Sequence, residues 1–139
     1  MLKLNVYLNF DGNCREAMTY YQECLGGDLD FQTLVGSPLE DHMPDQRKDS
    51  ILHSSLTLPG FVLMGSDMGC SGLIQGTRMS MCLDCTSEDQ IRTLFDGLSA
   101  GGNVKHPIEN TFWGALFGDL TDKYGNQWIL NYTIPVLQD

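Results

Sequence analysis

Positive charge is what this sequence has least of. Eight Lys and Arg stand against 18 Asp and Glu, a formal net charge of -10. Nucleic acid and anionic membrane surfaces need basic patches, so both are excluded as expected partners. A strongly anionic substrate is disfavoured too, unless a local arginine overrides the global field. Long apolar runs are also missing. None approaches the roughly 20 residues that cross a bilayer. The opening residues, Met1-Leu2-Lys3-Leu4-Asn5, show no signal-peptide pattern. The expectation is a soluble cytoplasmic protein. A disulfide framework is absent as well: the five cysteines, Cys14, Cys24, Cys70, Cys82 and Cys85, are odd in number and scattered. Cytosolic thiols are the simple reading.

What is present suffices for a core. The 139 residues are 42% hydrophobic, enough for one domain or for two half-size modules sharing a sheet. The organising stretch is Trp113 to Asn131, two short apolar runs around a polar turn from Thr121 to Asn126. Gly125-Asn126 suits a tight hairpin turn. Pro59 to Met64 echoes the second half of this pattern. The echo makes Gly60 equivalent to Gly125 and Met64 equivalent to Ile129.

The rest of the chain extends the echo. Asn5 to Phe10 alternates as a strand. Asp11-Gly12-Asn13 is expected to supply a helix N-cap. Cys14, Ala17, Met18, Tyr21, Cys24 and Leu25 then form one helical stripe, which Gly26-Gly27 ends. Strands are predicted at Leu29 to Thr33, Ile51 to Leu58 and Phe61 to Ser66. The polar loop 36–49 is long for a compact domain, which marks it as functional or mobile. The glycine-rich stretch 68–77 reads as a linker. Beyond it the order repeats: a strand from Arg78 to Asp84, then a helix capped by Ser87 with Gln90. Its buried stripe is Ile91, Leu94, Phe95 and Leu98, and Gly101-Gly102 closes it. Strands follow at 103–110, 114–120 and 127–133. The fold class expected is α+β, with two βαβββ modules at 1–67 and 78–139. Two such sheets placed edge to edge form a half-open, barrel-like sheet around a cleft, and clefts are where ligands bind.

Three stretches resemble a known family. They are Asn9-Phe10-Asp11-Gly12-Asn13-Cys14-Arg15-Glu16-Ala17 with Tyr20-Tyr21 and Leu25-Gly26-Gly27; Leu63 to Asp67; and Trp113-Gly114 with Asp122 to Trp128. Together they resemble the PhnB-like branch of the glyoxalase, bleomycin-resistance and dioxygenase (vicinal oxygen chelate) superfamily. The resemblance implies a homodimer. It also implies that metal-using members take two ligands per module, one from the first strand and one from the last. Carried over, those positions fall on Asn5, Met64, near Arg78, and Ile129. Divalent ions want imidazole or carboxylate there. Met64 is a soft, weak ligand, Ile129 has no donor atom, and Arg78 repels a cation. No metal is therefore expected at the family position, and no cofactor.

Each candidate residue has a functional reading beside a structural one. His53 is the candidate catalytic group, a general base or ligand contact facing the cleft, or a half-buried histidine bonded to a neighbouring strand side chain. Arg78 is an anion clamp, or a solvated arginine at a strand start. Asn5, Tyr7 and Asn9 line a polar cleft wall, or a solvated sheet face. Trp113 is a lid or stacking platform, or core packing. Cys82 and Cys85 have redox-motif spacing but read as a coincidence of buried thiols. Asp41 and His42, with Glu40 and Asp45, have a metal-cluster reading, but are expected as a solvated loop that is able to close over the cleft. The ligand-binding cleft is thus expected at Asn5, Tyr7, His53, Met64, Arg78, Trp113 and Ile129.

The function expected is that of a PhnB-like small-molecule-binding protein or metal-independent enzyme. The alternatives are a metal-dependent glyoxalase or thiol-transferase, with unusual ligands such as His53, and a drug-sequestering protein of the bleomycin-resistance kind. Whether it is an enzyme stays open. The partner expected is an unidentified small molecule. The methyltransferase named in the branch finds no glycine-rich nucleotide motif in the sequence.

Overall fold

The computed structural model describes residues 1–38, 40–42, 49–68 and 72–136. Two compact units form, Met1–Ile74 and Gln75–Asp139. The boundary falls inside the stretch 68–77, of which residues 69–71, including Cys70, lie outside the described residues. Much of the loop 36–49 lies outside them too, Asp45 included; within it, Glu40–His42 makes one 3-10 turn.

The first unit runs β1 (Val6–Asn9), α1 (Cys14–Leu25), β2 (Asp28–Thr33), β3 (Ile51–Leu58) and β4 (Phe61–Ser66). Its sheet order is β1-β4-β3-β2. β1 and β2 are therefore opposite edges, and α1 crosses the sheet between them. The β2-β3-β4 meander then returns the chain to β1, where β4 pairs in parallel. Of the stripe on α1, Cys14, Ala17, Met18 and Tyr21 are fully buried, while Cys24 and Leu25 in the last turn are half-buried. The helix packs on β3 and β4, where Leu56 and Leu63 stand side by side and are also buried. Gly65 allows the approach, since a Cβ there would sit 2.9 Å from the Phe10 ring and 3.4 Å from Met18 sulfur.

The second unit repeats the order with β5 (Met81–Asp84), α2 (Glu88–Ser99), β6 (Asn103–Asn110), β7 (Ala115–Thr121) and β8 (Gln127–Thr133). Its sheet order is β5-β8-β7-β6, again with the first and last strands parallel. Ile91, Phe95 and Leu98 of α2 are buried, as are Leu116, Leu120, Trp128 and Leu130 of the sheet, whereas Leu94, expected in the same buried stripe, is only half-buried. Among the described residues no helix is long and apolar enough to cross a membrane.

Three local expectations are corrected. Asn13 stands at the N-cap of α1 but makes no side-chain cap bond. The carboxylate of Asp67, far along the chain, takes that role: Oδ1 accepts from the backbone N–H of Gly12 and of Cys14, each at 3.0 Å. Oδ2 accepts from Ile51 N–H at 2.9 Å, so one buried side chain ties the helix start to the entry of β3. The strand beginning at Arg78 starts only at Met81, and the one beginning at Asn5 starts at Val6. The echo between Gly60 and Gly125 does not reach the backbone. Gly125 has φ +90° within a turn where Gly125 N–H donates to Asp122 C=O, while Gly60 is not in the positive-φ region. The Ser87 cap holds: its hydroxyl accepts from Gln90 N–H at 3.0 Å, and Gln90 Oε1 accepts from Thr86 N–H at 2.7 Å.

Candidate functional site

Strand alternation sends every second side chain away from the helix. In the first unit Tyr7 stands beside Met64, and Met64 beside Ser55. All three therefore occupy the face opposite α1. His53 shares it: its Nδ1 lies 3.4 Å from Tyr7 Oη, a long contact, with ring centroids 5.8 Å apart. Tyr7 is 45% exposed. The structure thus brings together Tyr7, His53 and Met64. Asn5 precedes β1 and is exposed.

In the second unit one row of the sheet reads Cys82, Ile129, Asp119, His106 across β5, β8, β7 and β6. A second row reads Asp84, Asn131, Phe117, Glu109. Asn131 Nδ2 donates to Asp84 Oδ1 at 3.2 Å. His106 Nδ1 lies 2.6 Å from Asp119 Oδ1. A carboxylate only accepts, so the imidazole carries its proton on Nδ1. Beside this pair opens a pocket of about 300 Å³, lined by His106, Pro107, Glu109, Asn110, Thr111 and Phe117. Trp113 lies in the turn between β6 and β7, 59% exposed. It meets Phe117 edge-on at 6.2 Å and Phe112 at 4.9 Å. Arg78 is exposed in the stretch before β5.

Sequence reading missed His106, Asp119 and Glu109. Alternation alone indicates which residues of one strand share a face, but not which residues of two strands stand opposite. Register shifts between Val104 and His106 and between His106 and Glu109 hide the pairing further. The available signal was a histidine in β6 and an aspartate in β7 across a short connection.

The thiols of Cys14, Cys82 and Cys85 do not supply a nucleophile. Burial pushes Cys14 up to about 11, against a smaller lowering by its hydrogen bond to Ser54. Burial, helped by the Asp84 carboxylate, pushes Cys85 up to about 11 and raises Cys82. Both stay protonated at neutral pH, which argues against a redox pair. Cys82 is exposed and not a buried thiol as its sequence suggests; Cys85 is half-buried.

The superfamily's divalent ion finds a poor donor set. At the last-strand positions Met64 offers a thioether and Ile129 a hydrocarbon. The parallel partner of Met64 is Tyr7 and that of Ile129 is Cys82. Among the described residues no group of three or more His, Cys, Asp or Glu is placed to hold a metal ion. The thioether of Met64 and the hydrocarbon of Ile129 do not fit the ion.

The family model described as 3-demethylubiquinone-9 3-methyltransferase matches residues 2–131. The chain is similar to Protein YjdN of Escherichia coli (strain K12), 31% identical over 144 aligned positions covering 94% of this chain and 95% of that protein. The crystal structure of PA1353 from Pseudomonas aeruginosa shares 34% identity at a TM-score of 0.80, covering 97% of this chain and all of that one. A putative 3-demethylubiquinone-9 3-methyltransferase, PhnB protein, from Bacillus cereus shares 25% identity at 0.74, over 94% of this chain and 99% of that one.

Proposed function

Because the chain belongs to the family described as 3-demethylubiquinone-9 3-methyltransferase, in the PhnB-like branch of the glyoxalase, bleomycin-resistance and dioxygenase superfamily, we propose that it is a small-molecule-binding protein working without the superfamily's divalent ion. The observation that carries this is the pair of last-strand positions, Met64 and Ile129. Both stand on the sheet face away from the helix, where a ligand can be reached, and neither gives a hard or borderline ion what it needs. The ligand contacts proposed are Asn5, Tyr7, His53 and Met64 in the first unit and Arg78, Trp113 and Ile129 in the second. His53, its Nδ1 3.4 Å from Tyr7 Oη, is the candidate proton acceptor should a reaction follow binding.

Methyl transfer is not part of the reading. A nucleotide-type methyl donor calls for a glycine-rich strand-to-helix turn. Among the described residues the turns from a strand into an α-helix run Phe10-Asp11-Gly12-Asn13 and Cys85-Thr86-Ser87. A homodimer and a cytoplasmic location complete the proposal; light scattering tests the first.

Metal analysis of protein purified without chelator is the main test. The expected content is well below a tenth of an equivalent of transition metal per chain. More than half an equivalent, lost on His53→Ala, overturns the reading. A thermal-shift screen with small organic anions tests Arg78, because a ligand of the folded state raises the midpoint by mass action. Shifts unchanged by Arg78→Ala remove that residue from the site.

A further inference from the structure

We propose that the second unit carries a binding site for small aromatic amines, built on the His106–Asp119 pair, Glu109 and the aromatic wall of Phe117. The proposal deepens the small-molecule reading and rests on it only in that the chain binds an organic ligand.

An exposed histidine ordinarily samples several rotamers. His106, with its side chain 79% exposed, is instead held by Asp119, whose side chain is 24% exposed, at 2.6 Å. Asp119 occupies Nδ1–H, so in the neutral form of the ring the remaining nitrogen, Nε2, is the acceptor for an O–H or N–H group. Glu109 supplies a second acceptor, and a charged one. The pocket lining holds three neutral residues besides these and Phe117, and no Lys or Arg. With a chain charge of -10, the local and the global field both favour a cation over an anion. Phe117 lines the pocket with its ring, Trp113 meets that ring edge-on, and Phe112 next to Trp113 is 99% exposed. Rings and alkylammonium groups both gain on such a surface, the first by stacking and the second by cation–π attraction. The volume, about 300 Å³, is at the small end of ligand sites and suits one ring with a short tail. Acceptor, anionic carboxylate and aromatic wall together describe a ring bearing a protic group at one end and an ammonium at the other.

Tyramine is the probe. Calorimetry and Trp fluorescence follow its titration into the full chain, beside 4-hydroxyphenylacetate, which exchanges the ammonium for a carboxylate, and phenethylamine, which lacks the hydroxyl. Glu109→Gln and His106→Gln change exposed side chains, and circular dichroism confirms that the variants fold. Saturable tyramine binding is expected, with 4-hydroxyphenylacetate and the Glu109→Gln protein each about tenfold weaker, the loss of one charge contact. Phenethylamine and the His106→Gln protein should lose about threefold or more, the worth of one hydrogen bond. No saturable tyramine signal, equal binding of the carboxylate, or affinity unchanged in both variants overturns the proposal. None of these results bears on the metal content, so the two readings fail separately.

Discussion

Replacing Asp67 tests how the first unit is held together. Asp67 is 7% exposed, and its carboxylate accepts three backbone N–H bonds, from Gly12, Cys14 and Ile51. Asp67→Ala leaves three donors without a partner in a site water barely reaches. Each orphaned donor costs about 1–3 kcal/mol. The three share one acceptor group, so their costs do not add fully, and a total of about 3–5 kcal/mol is expected. Asp67→Asn keeps one acceptor oxygen and turns a donor toward the other N–H groups. Whichever way the amide sits, one or two bonds are lost, for about 1.5–3 kcal/mol. Urea unfolding reads the sum: a loss of about 4 kcal/mol at a slope near 2 kcal/mol per molar lowers the midpoint by roughly 2 M. Hydrogen exchange reads the parts, since protection should fall first at the amides of Gly12, Cys14 and Ile51. If Asp67→Ala costs under about 1 kcal/mol, or Asp67→Asn costs as much as Asp67→Ala, acceptor counting at this site is wrong.

Three further outcomes follow. The raised thiol of Cys14 stays protonated in the folded chain from its ordinary 9.0 up to about 11, while the unfolded chain ionises there. Stability is therefore full below pH 9 and falls as pH rises toward 11, by up to about 1.4 kcal/mol per pH unit. Urea midpoints from pH 8 to 11 check this, and Cys14→Ser should flatten the slope. Ser87→Ala removes the acceptor for Gln90 N–H and should cost about 1 kcal/mol in thermal unfolding. Gly102→Ala puts a methyl against the Thr121 carbonyl oxygen and the Asp122 backbone. Backbone cannot step aside as a flexible side chain does, so a cost of about 1–3 kcal/mol or more, or loss of soluble protein, is expected.

The candidate site was legible in one sheet and not in the other. Tyr7, His53 and Met64 could be placed on one face because each lies in a strand whose alternation is regular enough to count along. Met64 and Ile129 could be matched because each follows a turn glycine by four residues, whatever that turn's conformation. His106 and Asp119 could not be paired, since register shifts in β6 break the count. The Asp67 cap was invisible for a related reason. A helix start looks for its acceptor nearby in sequence, and Asn13 was there to offer one. The acceptor used is 53 residues from Cys14.

Local order determined the outline: helical and strand periods, breakers and caps placed α1, α2 and most strands within a residue or two, and their repetition set the βαβββ order. These are properties of chain neighbours, and a sequence states them directly. Tertiary structure alone decided which strands lie side by side, in what register, and which distant carboxylate serves which backbone or ring nitrogen. Those choices depend on packing one helix across one sheet, where side chains far apart along the chain compete for the same few ångströms.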